Sequence, residues 1–234
     1  MLRYILPIVG HFIIFFMLAA MTAFGADDHS TWESLTPSQQ GILVDGKPVV
    51  VEEEVAENAW PRYIVYRLVD CPPAKVAALF WDCEQAPKYV PNCLSVQMVA
   101  RPTPWIHEAE YTLHMPMMLP EEVYVSRNEL TDPAKDVYEI SWKVCQARYI
   151  KGSEGNLRVS PVGSKALLCY NNLVMPGSSI AGLLQSEARS QVVASVDALA
   201  RQVEHEICKT PWLMDHQLQK LNESLEKLHP PVQK

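Results

Sequence analysis

The sequence has no cluster of Lys or Arg, and its 27 acidic and 20 basic side chains leave a net charge of −7 over 234 residues. It therefore lacks the basic footprint that nucleic acid requires. An acidic surface also disfavours charge-driven attachment to anionic membranes. No CxxC or Cys/His spacing suited to zinc occurs. The motifs HExxH, GxSxG, GxGxxG and the phosphate-binding P-loop are absent as well. Neither internal repeats nor low-complexity tracts stand out. Charged residues make up only 20% against 48% apolar, so the middle of the chain can bury a core and is not disordered.

Long hydrophobic runs are also scarce, with one exception at the start. Arg3 precedes an almost wholly apolar run over 4–21, and small residues gather at Ala19, Ala20, Ala23, Gly25 and Ala26 ahead of Asp27-Asp28. Ala23-Phe24-Gly25 has the small-x-small form of a cleavage site, so residues 1–25 read as a signal peptide. An uncleaved N-terminal anchor is the alternative, because the run is about as long as a spanning helix needs. Either reading puts the body outside the cytoplasm, periplasmic or secreted, or tethered to the membrane. Six cysteines then lie in a compartment that permits disulfides, with 15 possible pairings. Cys83 and Cys93 flank a short predicted helix, which suggests a local bridge; buried free thiols are the other reading.

Residues 26–47 are polar with turn signals and read as a linker or short cap. The ligand-sized body spans 48–208. Its first strand material lies in 48–55 and, after Pro61, in 63–68. Pro72-Pro73 stops that strand and pre-sets a helix from Ala74, with Val76, Leu79 and Phe80 at helical spacing. A second short helix covers 84–89. Strands are then expected at 94–100, 106–115, 123–130, 137–144, 157–161 and 165–175, with Asp132-Pro133 and Gly163-Ser164 as hairpin turns. Tyr138, Ile140, Trp142 and Val144 share one strand face, as do Ala109, Tyr111, Leu113 and Met115. Such an antiparallel sheet is apolar on one side and wet on the other. Its cover is a long helix with Leu184, Ala188, Val192, Val196, Leu199 and Val203 in one stripe. The tail, 209–234, repeats Met214, Leu218, Leu221, Leu225 and Leu228 as an amphipathic helix, free either to pack on the body or to self-associate. The class is α+β, helices on one face of an antiparallel sheet.

Val69-Asp70-Cys71-Pro72-Pro73-Ala74-Lys75-Val76-Ala77-Ala78-Leu79-Phe80-Trp81-Asp82 resembles the strand-to-helix entry of START-like domains. These belong to the wider superfamily (SRPBCC) that includes polyketide cyclase/dehydrase-like and coenzyme Q-binding proteins. Glu84-Gln85-Ala86-Pro87-Lys88-Tyr89-Val90-Pro91 is similar to that family's second helix, and the run from Met115 to Arg127 looks like its mid-sheet loop and strand. The resemblance implies a helix-grip fold, a curved antiparallel sheet around the C-terminal helix with a deep apolar cavity. It also implies a hydrophobic partner: a lipid, sterol, isoprenoid, quinone or polyketide.

Trp81, Tyr89, Tyr111, Met115, Met117, Met118, Tyr138, Trp142, Leu184 and Val192 are expected near that cavity. The methionines would form an adaptable mouth. Arg127, the lone cation of an apolar strand, would either anchor a headgroup or pair at the surface. Glu108, Glu110 and His114 are expected on the solvated face. No inward-facing acid/base pair can be assembled, and no cofactor or metal is implied. The first reading is an exported carrier of a hydrophobic small molecule or lipid, with transient membrane contact and no nucleic acid. A polyketide cyclase-like enzyme using the same pocket and a protein-interaction module are the alternatives.

Overall fold

The computed structural model describes residues 31–115, 119–177 and 184–229. The leader expected over 1–25, together with Met117 and Met118, lies outside the described residues.

Eight antiparallel strands form one curved sheet. They are β1 (Val49–Glu53), β2 (Arg62–Val69), β3 (Cys93–Thr103), β4 (Ile106–Leu113), β5 (Glu122–Ala134), β6 (Val137–Ala147), β7 (Ile150–Val162) and β8 (Lys165–Pro176). The order across the sheet is β1-β2-β8-β7-β6-β5-β4-β3, so five successive hairpins are closed by β8 returning to β2. Four α-helices complete the described fold: α1 (Pro37–Val44), α2 (Pro73–Trp81), α3 (Gln185–Lys209) and α4 (Pro211–Leu228), with short 3-10 helices at Trp32–Ser34 and Cys83–Lys88. This is the α+β helix-grip architecture.

The concave face carries the core. Tyr63, Val65, Leu157, Val159 and Leu168 from the sheet pack against Val76 and Leu79 of α2 and Val196, Leu199 and Val203 of α3. Removing these side chains from water at roughly 25 cal/mol per Å² is the main term holding the helices to the sheet. The convex face is not wet throughout. Leu35 and Leu43 of the N-terminal segment pack on Val49, Ile64, Tyr66, Leu68, Leu167 and Cys169. There β2 and β8 are buried on both faces, which explains the near-continuous apolar run in β2. Residues 37–44 are thus helical, started by a Thr36/Gln39 capping box.

The tail packs back on the body. Met214, Gln217, Leu221 and Ser224 of α4 are buried. Ser224 Oγ accepts from Trp81 Nε1 at 3.1 Å, and Lys220 Nζ reaches the buried Asp82 at 3.0 Å.

Several local expectations change. All six cysteines are free thiols, so no Cys83–Cys93 bridge is present. The β5–β6 turn lies at Lys135-Asp136, where Asp136 takes φ 58°, while Asp132-Pro133 belongs to the end of β5. Strand β7 begins at Ile150, seven residues before the expected start at 157.

Candidate functional site

A cavity of about 260 Å³ lies between the concave face of the sheet and the first half of α3. That is near the low end of ligand cavities, roughly 300–1,000 Å³, and suits one compact molecule. Strand alternation builds its walls. In β4 the inward set is His107, Ala109, Tyr111 and Leu113, and the register pairs Tyr111 with Tyr124 of β5. These two rings stack with centroids 5.0 Å apart and planes 4° from parallel. Across the sheet Trp142 stacks on Tyr170 at 4.9 Å, with Phe80 of α2 against both. Trp60 and Leu184 close the far end, packed together with Met115 and Ala188. Gln191, Val192 and Ser195 of α3 form the roof.

Room for the Trp142 indole depends on its register neighbour. Residue Gly155 faces Trp142 across β6–β7, and a Cβ there would stand 2.4 Å from the indole ring and 2.1 Å from the Asn171 carbonyl oxygen. A glycine is required by the close approach.

One row of the wall is polar. The register runs His107–Asn128–Trp142–Gly155–Asn172 from β4 to β8. Asn128 Nδ2 donates to the Ser126 carbonyl, and Ser126 Oγ lies 3.3 Å from Asn128 Oδ1. Ser153 Oγ donates to Asn172 Oδ1 at 3.3 Å. His107 is 1% exposed, lies 4.3 Å from Trp81 ring to ring, and has no hydrogen-bond partner on either nitrogen. Burial, helped by the Arg101 cation and opposed by Asp82, lowers its pKa to about 4, so its imidazole is neutral at pH 7.

Burial pushes the Tyr89, Tyr111, Tyr124 and Tyr170 phenols upward, and the Cys83 thiol to about 12. All remain protonated at neutral pH. Glu122 is committed elsewhere, since its carboxylate accepts from the Arg148 and Tyr149 amides at 2.6 and 2.9 Å. Among the described residues the cavity lining therefore holds no carboxylate–histidine pair in hydrogen-bond contact.

Of the residues expected here, Tyr89, Tyr111, Met115, Trp142, Leu184 and Val192 line the cavity. Trp81 does not: it backs His107 from behind, under α4. Tyr138 shares the inward face with Trp142 but lies beyond the cavity floor, packed near Ala77, Ala78 and Leu130. Arg127 is a correction too. It faces outward, paired with Glu108 at 3.3 Å, both side chains substantially exposed. Arg127→Ala should therefore leave ligand affinity unchanged and cost less than about 1 kcal/mol in urea denaturation, as exposed pairs do. A tenfold loss of affinity would place it in the site after all. His114 moves the other way. The chain leaves β4 after Leu113, the His114 amide donates to the Asn92 carbonyl, and the side chain joins the cavity mouth.

The residues missed at the sequence level are Trp60, Phe80, Tyr124, Tyr170 and the polar row. Parity within each strand was the available signal: His107 shares it with Tyr111, and Tyr124 with Ser126 and Asn128.

Sheet, grip helix and aromatic-lined cavity together define the START-like fold. Solved structures carry the same fold. A STAR-related lipid transfer protein from Xanthomonas axonopodis superposes with a TM-score of 0.61 at 11% identity, over 67% of this chain and 93% of that one. The human StarD13 (DLC2) lipid transfer and protein localization domain gives 0.55 at 13% identity, over 72% and 97%. The di-domain ARO/CYC StfQ from the steffimycin biosynthetic pathway gives 0.52 at 12% identity, over 62% and 51%. No protein-family model matches the sequence, and no curated protein matches it.

Proposed function

We propose that this protein binds one hydrophobic small molecule, a lipid, sterol or isoprenoid, in the cavity and carries or sequesters it outside the cytoplasm. The observation that carries this reading is a concave cavity walled by Trp60, Phe80, Tyr89, Tyr111, Tyr124, Trp142 and Tyr170. Burial of a ligand's apolar surface against these rings drives binding, at roughly 25 cal/mol per Å² before the costs of association. Lipid-transfer proteins among the solved structures of this fold support the same direction. Export rests on the apolar leader and its small-residue cleavage site. Delivery would involve transient contact with a membrane.

Trp142 and Trp60 supply the test. Energy transfer to dehydroergosterol, and native mass spectrometry with farnesol and a monoacylglycerol, should show saturation at one molecule per chain for at least one of the three. No binding by any of them to the folded protein contradicts the reading. Chemistry in the same cavity has the unpartnered His107 in its favour, in a fold shared with the di-domain ARO/CYC StfQ. That reading predicts a bound molecule whose mass changes on incubation.

A further inference from the structure

We propose that the cavity selects an uncharged, flat ligand and holds that ligand's oxygen against the neighbouring pair His107 and Asn128. This inference rests on the carrier reading and adds the charge and orientation of the cargo.

The first argument is the orphaned imidazole. A buried polar side chain nearly always has a partner, and leaving one without costs about 1–3 kcal/mol. His107 is 1% exposed, has no partner on Nδ1 or Nε2, and lines the cavity. His107 borders the cavity, and that is the side from which a ligand can supply the partner. A neutral imidazole donates at one nitrogen and accepts at the other, which matches a hydroxyl, and its donor alone matches a carbonyl. Asn128 lies directly across the β4–β5 register from His107. Its bonds to Ser126 use one amide hydrogen and one lone pair, so a second donor and a second acceptor remain for the same ligand oxygen.

The second argument is the sign of the charge around the cavity. Among the described residues the lining includes no Lys or Arg, and its carboxylates are Glu122 and Glu187. A carboxylate, sulfate or phosphate inside would be a buried charge without a cation, which is strongly unfavourable. A cation at the polar row would face a histidine held neutral by burial and by Arg101. Neither carboxylate belongs to that row: Glu122 is bound to two backbone amides, and Glu187 stands on α3. Shape adds the third argument. Tyr111 on Tyr124 and Trp142 on Tyr170 present paired ring systems to the cavity, and such walls favour a planar guest.

Four probes with one skeleton separate these terms: 1-pyrenemethanol, pyrene, 1-pyrenecarboxylate and 1-pyrenemethylammonium, titrated into the full chain at pH 7 by pyrene fluorescence. The alcohol should bind at least tenfold more tightly than either ion, and several-fold more tightly than pyrene. In His107→Leu, which replaces the ring with an apolar side chain, the alcohol should weaken about tenfold while pyrene is unchanged. Asn128→Leu provides a second variant should His107→Leu fail to fold, with the same expectation. If either ion matches the alcohol, charge selection is overturned while the carrier reading stands. Equal losses for alcohol and pyrene would overturn the orientation. If none of the four binds a folded chain that still takes up dehydroergosterol, farnesol or a monoacylglycerol, this inference is overturned while the carrier reading stands; if those three fail as well, both fall.

Discussion

Gly155→Val should destabilise the protein by about 3 kcal/mol or more and close the cavity around Trp142. A Cβ at this position would lie 2.1 Å from the Asn171 carbonyl oxygen and 2.4 Å from the Trp142 ring. The first contact is with backbone in the adjacent strand β8 and cannot be relieved by a rotamer change. Overpacking of this kind typically costs about 1–3 kcal/mol and more when the obstacle is rigid. Either the β7–β8 ladder opens or the indole swings into the ligand space, and both reduce binding. Gly41→Ala serves as the control, since nothing lies within 4 Å of a Cβ built there. It should leave stability level or raise it by up to about 1 kcal/mol, as Gly to Ala does within a helix. Urea denaturation of the two variants reads both effects. A Gly155→Val protein as stable as the parent would mean the β6–β8 packing is looser than described.

Acidification should destabilise the protein through His107 in a window above the usual carboxylate range. Burial, then Arg101, lowers the pKa of this imidazole to about 4, from 6.5 in an exposed histidine. The folded protein keeps it neutral while the unfolded chain takes up a proton below 6.5. Stability is therefore complete above that value and is lost as pH falls from 6.5 to 4, by about 3 kcal/mol at pH 4. His107→Leu removes the titration. Its stability should fall less steeply across this window, by close to one proton's worth of slope, and should not be lower at pH 7, where an unpaired polar group has been replaced by an apolar one. Equal slopes for the two proteins would show that His107 is solvated in the folded state.

How much of this was legible depends on which face of a strand carried the pattern. Inward sets such as Ala109, Tyr111 and Leu113, or Ile140, Trp142 and Val144, alternate with mostly polar or charged neighbours, so the sheet and part of the cavity lining follow from periodicity. The start of β7 does not. Its run Lys151-Gly152-Ser153-Glu154-Gly155-Asn156 is poor in β-branched residues, because one glycine makes way for the Trp142 ring and another approaches Met175, and Ser153 bonds to Asn172. Tertiary contacts across three strands outweigh local propensity there. The polar row was missed for a related reason. Asn128, Asn172 and Ser126 suit a solvated face by residue type, and only the strand register turns them inward.

Arg127 shows the opposite error. A lone cation between apolar neighbours suggested a headgroup anchor, yet alternation already placed it opposite Ser126 and Asn128, and the neighbouring strand supplies Glu108. The turn between β5 and β6 was displaced by three residues, because Asp136 tolerates the left-handed conformation and Pro133 is accommodated at the register shift between Thr131 and Ala134.

Native mass spectrometry of the protein purified from the organism that makes it, followed by solvent extraction of what it holds, tests the central claim most directly. The account predicts a single discrete mass above that of the polypeptide, at one molecule per chain, and an extract containing one uncharged hydrophobic species with oxygen at one end. A folded protein that carries nothing and stays at the bare polypeptide mass in excess sterol, isoprenoid alcohol and monoacylglycerol would contradict it.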